Sequence, residues 1–227
     1  MIYAFMRGLM RLLVRVYLAG LFEIHGIDNV PRSGPLLICP NHSGTLDPPM
    51  VPAFAPRGDT WNMAKSEYFK RPMSRLIFRA YHAFPVVRHT ADRVAVRWSL
   101  DLLKAGHALV IYPEGTRVES GVLAHPEPGA GFLAQKAACP VLPVALTGTR
   151  ECLPKGAKWP RRVRVTLTFG KPFVVLPKRA DGTRVSHEDA SDAIMLAIAE
   201  LLPPEQRGVY SDLDSYRKKA LGVTRQA

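Results

Sequence analysis

Residues 35–50 read PLLICPNHSGTLDPPM. The apolar run is short and bounded by Pro35 and Pro40, which predicts a buried strand rather than a helix. Pro48 and Pro49 suit the first turn of a helix, and Gly44 suits a tight turn between the two elements. The turn holds His42 and Asp47, five positions apart. Open α/β sheets place their sites where strands end. A carboxylate on one imidazole nitrogen leaves the other free to take a proton from a hydroxyl. The spacing alone is weak, and a second reading stands beside this one: a solvated loop histidine with Asp47 as a helix cap.

The elements around this stretch alternate. EIHGI, TWNMAK, AFPVVR, HALVIYP, VLPVALTG and RVRVTLTFG read as strands, the last with Val163, Val165, Leu167 and Phe169 on one side. ADRVAVRWSLDLLKAG, GAGFLAQKAAC and SHEDASDAIMLAIAELL read as helices. Thr90 is the expected N-cap and Gly106 the expected stop of the first. Ser186 is the expected cap of the third, with Asp189 three residues on. The fold class expected is α/β: a mostly parallel sheet flanked by helices, in one domain over residues 25–205. Residues 206–227 are polar and charged, a tail that is either a short helix or a frayed end.

Residues 1–24 form a third expected unit. MIYAFMRGLMRLLVRVYLAGLF is apolar except for Arg7, Arg11 and Arg15, which share one face of a helix. Three central arginines argue against a spanning helix, and the charge distribution is not that of a signal peptide. A cationic stripe on an apolar helix suits a membrane interface. The alternative is a helix packed on the protein's own core with its arginines outward.

The chain has 227 residues, 47% of them hydrophobic, and a formal net charge of +12. That size and composition give a globular domain with a real core. The charge attracts anions, whether lipid, nucleic acid or phosphorylated substrate, or serves solubility alone. No nucleic-acid-binding signature is present. Cys39, Cys139 and Cys152 are too sparse for a disulfide framework and form no CxxC metal pair, which fits a reducing compartment. GxSxG, GxxxxGK[ST] and HExxH are absent. Gly129, Gly131 and Ala134 match G-x-G-x-x-A, but no strand directly precedes them, as a dinucleotide site requires.

A second chemical stretch is LVIYPEGTRVESG, residues 109–121. A strand ends in Glu114, Gly115, Thr116 and Arg117. Free backbone N–H groups, a hydroxyl and a guanidinium suit a phosphate ester, and Glu114 suits a substrate hydroxyl. The plain alternative is a glycine turn with Arg117 paired to Glu119 or solvent.

Four blocks taken in order resemble the lysophospholipid acyltransferase family, which includes bacterial 1-acylglycerol-3-phosphate acyltransferases. They are NHSGTLD, AKSEYFKRPMSRLIFRAYHAFPVVR, YPEGTR and CPVLPVAL. The likeness runs from about Gly26 to Val174. It implies a glycerol-3-phosphate acyltransferase-like domain with an N-terminal amphipathic helix. It implies His42 as general base on a glycerol hydroxyl, oriented by Asp47, with direct attack on an acyl thioester and no acyl-enzyme. Glu114, Gly115, Thr116 and Arg117 would hold the glycerol phosphate, Arg88 would add a phosphate contact, Lys65 would lie near, and Pro143 would shape a pocket. No cofactor or metal is implied; acyl-CoA or acyl carrier protein is the co-substrate. Gly44 and Val118 stand where the family usually has serine, and Pro128 where it often has a basic residue.

The expected reaction is acyl transfer to lysophosphatidate, giving phosphatidate for phospholipid synthesis. The expected location is the cytoplasmic face of the cell membrane, peripheral or monotopic, on an anionic lipid surface. Nucleic acid is not an expected partner. Three alternatives stay open: a different lysolipid or hydroxylated lipid acceptor, an acyl-thioester hydrolase, and a non-enzymatic lipid- or nucleic-acid-binding protein.

Overall fold

The computed structural model describes residues 1–87, 90, 92–154 and 156–227. In chain order the elements are α1 (Ile2–Tyr17), β1 (Phe22–His25), β2 (Leu36–Pro40), α2 (Asp47–Phe54), β3 (Thr60–Lys65), α3 (Pro72–Ala80), β4 (Ala83–Val86), α4 (Arg93–Lys104) and β5 (Ala108–Val110). They continue as α5 (Gly129–Ala137), β6 (Val141–Thr147), α6 (Thr149–Cys152), β7 (Val165–Phe169), β8 (Phe173–Val175), α7 (His187–Ala199), α8 (Leu213–Lys219) and β9 (Thr224–Gln226).

One sheet runs β1-β7-β6-β2-β5-β3-β4, with β8 against β6 and β9 against β8. From β6 to β4 every pairing is parallel. β7 runs antiparallel to β6, and β1 lies parallel to β7 at the sheet edge. All of β2 is buried. Leu37 and Cys39 face a layer of α4, α5 and α7, whereas Leu36 and Ile38 face α1 and α2. Side chains alternate across a strand, so a strand covered on both faces has to be apolar throughout.

Most of the expected elements form, with local corrections. Thr90 does not cap α4; its hydroxyl donates to Val87 O. Asp92 is the cap, its Oδ1 accepting from Val94 N and Ala95 N at 3.1 and 3.0 Å. A carboxylate accepts both orphan amides better than one hydroxyl can. Ser186 does cap α7, accepting from Asp189 N at 2.9 Å. Residues 206–227 carry α8 and β9 and fold onto the domain. Tyr210 is fully buried and donates to Asp192 Oδ1 at 2.7 Å, and β9 adds a strand beyond β8. Gly131 lies where α5 crosses α7: a Cβ there would stand 2.2 Å from His187 O. Gly131 thus serves helix contact, whereas a Cβ at Gly129 would meet nothing within 4 Å.

The N-terminal helix is shorter than residues 1–24 and is turned differently from either expectation. It ends at Tyr17, and residues 22–25 already belong to β1. Arg7 and Arg11 point inward. Arg7 donates to Pro52 O at 2.7 Å and Ala55 O at 2.5 Å; Arg11 donates to Ala53 O and, at 3.4 Å, to Ala55 O. These are the last carbonyls of α2, which have no partners inside their own helix and carry the negative end of its dipole. The outward side of α1 is apolar instead, with Ile2, Phe5, Leu9, Leu12, Leu13 and Val16 exposed. No helix among the described residues is long and apolar enough to cross a membrane.

Replacing Arg7 with Met keeps the stem, strands Pro52 O and leaves Ala55 O only the 3.4 Å bond from Arg11. The expected loss is about 2 kcal/mol or more of unfolding free energy, read from the urea midpoint. Arg15→Met, at an exposed position of the same face, is expected to be near neutral.

Candidate active site

The parallel register of β2 and β5 brings the C-terminal ends of the two strands together, Ile38 facing Val110. Beyond β2 the chain turns toward the α1–α2 layer; beyond β5 it turns toward α5. The crevice between these diverging connections is where α/β sheets place ligands. His42 sits in it, 8% exposed.

Its surroundings are mostly backbone. Asn41 continues the sheet through its side chain: Oδ1 accepts from Leu146 N at 2.7 Å and Nδ2 donates to Leu146 O at 3.0 Å. This holds the residue before His42 against β6. Asp47, fully buried at the first turn of α2, takes three bonds on one oxygen. They come from His42 Nδ1 at 3.0 Å, Ser43 N at 2.9 Å and Gly44 N at 2.7 Å. With Nδ1 committed, Nε2 is the nitrogen left for chemistry. The Tyr112 ring lies against the imidazole, centroids 4.3 Å apart, and limits its rotation.

Glu114 is the second anchor. Its Oε2 accepts from His42 N at 2.8 Å and its Oε1 from Ala124 N at 3.1 Å. Val118 N donates to His42 O at 2.9 Å, so the 114–118 turn grips both backbone groups of His42. Glu114 was expected to meet a substrate hydroxyl; its two oxygens are engaged by the protein itself, which makes it a brace for the histidine. Gly115 has φ of +69°, a left-handed conformation that costs little only for glycine.

Two cavities meet at His42. One, of about 1080 Å³, lies on the α4–α5 side between Met63, Val86, Val96, Leu100, Ile111 and Phe132, with Arg93 and Arg97 also in its wall. The other, of about 660 Å³, is a groove toward α1 and α3, walled by Leu9, Leu13, Ile77 and Tyr81. Lys65, Thr45, Thr116 and Arg117 line it. Arg117 donates to Thr45 Oγ1 at 2.6 Å, and Lys65 sits 3.2 Å from the Glu67 carboxylate.

The structure therefore brings His42, Asp47, Lys65, Glu114, Gly115, Thr116 and Arg117 to one place. Arg88 lies outside the described residues. Pro143 lies within β6 and lines neither cavity. It lies between the β8 and β7 pairings of that strand, where its carbonyl takes Gly170 N at 2.8 Å and a missing N–H breaks no ladder. Asn41 and Tyr112 went unnoticed in the sequence. Asn41 carried one usable signal, a polar amide at the end of a fully apolar strand.

Gly44 has a tertiary explanation. A Cβ on it would stand 2.6 Å from Thr149 Oγ1 and 2.7 Å from Thr149 Cβ. The space that a side chain at position 44 would take is filled by the buried Thr149 at the start of α6.

A family model described as Acyltransferase matches residues 21–147, somewhat over half of the chain. The 1-acyl-sn-glycerol-3-phosphate acyltransferase of Bacillus subtilis is 27% identical over 156 residues, 69% of this chain and 75% of that protein. The enzyme of the same name from Streptococcus pneumoniae is 30% identical over 177 residues, 76% of this chain but only 63% of that protein's length. The crystal structure of the 1-acyl-sn-glycerophosphate acyltransferase from Thermotoga maritima superposes with a TM-score of 0.62 at 25% identity, covering 74% of this chain and 68% of that one.

Gly44→Ala is expected to lower stability by about 1–3 kcal/mol through overpacking against Thr149. Gly8→Ala, in α1 where an added Cβ meets nothing within 4 Å, is expected to raise it by about 0.5–1 kcal/mol. Thermal melts of the two variants should move in opposite directions.

Burial pushes the Glu114 carboxyl up to about 7 from 4.5, against the two amides that favour its charged form. The folded protein holds this proton more tightly than the unfolded chain does. Its contribution to stability is therefore greatest below pH 4.5 and falls, by on the order of 3 kcal/mol, as pH rises to about 7. Urea unfolding across that window should show this component in the wild type and lack it in Glu114→Gln.

Proposed function

Because the chain belongs to the acyltransferase family, its chemistry is acyl transfer, and we propose that it moves a fatty acyl group from an acyl thioester, carried on coenzyme A or acyl carrier protein, to the free hydroxyl of lysophosphatidate. The product is phosphatidate, for phospholipid synthesis. The observation that carries this reading is the His42–Asp47 pair standing where two cavities of different character meet.

In this mechanism the acceptor lies in the groove with its phosphate toward Arg117, Thr116 and Lys65, and with Arg88 as a further cationic contact. The donor's acyl chain lies in the larger cavity, whose wall is mostly apolar, with its anionic carrier toward Arg93 and Arg97. His42 Nε2 takes the hydroxyl proton as the glycerol oxygen attacks the thioester carbonyl. Asp47 stabilises the imidazolium that results. The C–S bond then breaks, and the imidazolium returns its proton to the departing sulfur. General-base catalysis of this kind contributes on the order of 10²–10⁴-fold, and alignment of the two substrates much of the remainder.

Names of the similar proteins support the acceptor, since they act on 1-acyl-sn-glycerol-3-phosphate. We place the enzyme on the cytoplasmic face of the membrane as a peripheral protein. The reason is the groove itself: Leu9 and Leu13 of α1 and Ile77 of α3 wall it, and the outward residues of the same helices, Phe5, Leu12, Met73 and Leu76, are exposed and apolar. An acceptor drawn from a leaflet would then enter with its acyl chain still among lipids.

The test is thiol release from long-chain acyl-CoA, and from acyl carrier protein loaded with the same chain, with and without lysophosphatidate. Release that needs the acceptor, and that falls by at least 10²-fold in His42→Ala, is the expected result. Asp47→Asn should cost a similar factor while leaving lipid binding intact. Release without acceptor would instead make the protein a thioesterase, and release with another lysolipid alone would move the acceptor assignment.

A further inference from the structure

The segment between α6 and β7 is not used by the site. It reads LPKGAKWPRRVR over residues 153–164. Trp159 is 81% exposed, the most exposed aromatic side chain among the described residues. Lys158, Arg161 and Arg162 are exposed on either side of it, and none of them is paired with a carboxylate among the described residues. One exposed apolar side chain is ordinary by itself; here it stands among three cations and beside the apolar outward face of α1.

The loop is held in place. Tyr17 at the end of α1 donates to Pro160 O at 2.5 Å, and Arg162 donates to Ala19 O at 3.3 Å. Arg161 N donates to Cys152 O at 2.6 Å, tying the other side of the loop to buried α6. Trp159 therefore stands at the C-terminal end of α1, whose outward residues Leu9, Leu12, Leu13 and Val16 are exposed and apolar. Arg15 is exposed on the same helix.

We propose that residues 156–162 form a second membrane contact, with Trp159 in the lipid interface and Lys158, Arg161 and Arg162 on anionic headgroups. The inference rests on the membrane reading above and adds to it a defined footing. The apolar residues of α1 and α3 seat the mouth of the groove on the leaflet, and this loop extends the footing beyond the C-terminal end of α1 with cations for anionic headgroups. Tryptophan is suited to the interface because its indole is largely apolar and carries a single polar N–H, and cations near an anionic surface each add attraction. The occupant is lipid rather than an acidic carrier protein, because no residue of this loop lines the cavity assigned to the donor.

The test uses the full-length protein, sedimented with vesicles of phosphatidylcholine alone or mixed in equal parts with phosphatidylglycerol. Lys158→Ser/Arg161→Ser is expected to weaken binding to the anionic vesicles roughly thirtyfold, an effect that high salt removes. Trp159→Ala is expected to weaken binding to both kinds roughly tenfold, and Trp159→Phe by less. Wild-type emission should shift to the blue when vesicles are added, and Trp159→Phe should lack most of that shift. Acyl transfer to a short-chain, water-soluble lysophosphatidate without vesicles should be unchanged in every variant. If that transfer works but the variants bind vesicles as the wild type does, the loop proposal fails and the enzymatic reading stands. If the wild type binds neither vesicle, both the footing and the membrane reading are overturned. A variant that keeps vesicle binding but loses turnover with carrier-bound donor alone would reassign the loop to the carrier.

Discussion

Two backbone groups of one residue, the N–H and C=O of His42, are held by the turn that follows the neighbouring strand. This grip is possible only because β2 and β5 run parallel and in register, so that both strands release their chains at the same edge. At such an edge the last amides of each strand lose their ladder partners and have to find others. Asp47 and Glu114 supply them for His42, Ser43 and Gly44, and take in addition the His42 imidazole and the Ala124 amide. The histidine is thereby fixed by the same bonds that end the sheet.

The helix that starts at Asp47 carries this order outward. α2 has its positive end at the Asp47 carboxylate and its negative end at Arg7 and Arg11. Both ends of its dipole are met by opposite charge, which fixes the helix along its own axis. α1 is in consequence part of the domain. Arg7 and Arg11 face the core because the carbonyls at the end of α2 are there, and the leucines of α1 face outward because the other side has been used. The surface that the groove opens onto is thus set by the same contacts that orient Asp47.

Much of the fold could be read along the chain. The buried strand PLLICP, the helix begun at Asp47 and the alternation of β7 follow from short-range pattern, since a strand covered on both faces must be apolar and a strand ending in proline must turn. His42 with Asp47, and the turn from Glu114 to Arg117, were visible as polar residues at strand ends. What those residues bond to was not visible. Glu114 suggested a ligand contact by its neighbours in sequence, yet its partners are His42 and Ala124. Gly44 suggested a flexible turn, yet its lack of a side chain answers to Thr149, which lies far along the chain on α6. Thr90 suggested a cap because it precedes the helix, and Asp92 won the place by offering a charged acceptor.

By itself the sequence determined most of the strands and helices of the sheet, the polar blocks at strand ends, and the likeness to acyltransferases, because those depend on residues within a few positions of one another. Tertiary structure alone decided which way the arginines of α1 face, what braces the histidine, and that two cavities open on it from opposite sides. Each of these rests on a bond or a wall between elements distant in sequence: Arg7 with Pro52, His42 with Glu114, Asn41 with Leu146. The physical reason is that an unpaired backbone group or a buried charge takes the partner that folding brings to it, and local pattern carries no record of which partner that will be.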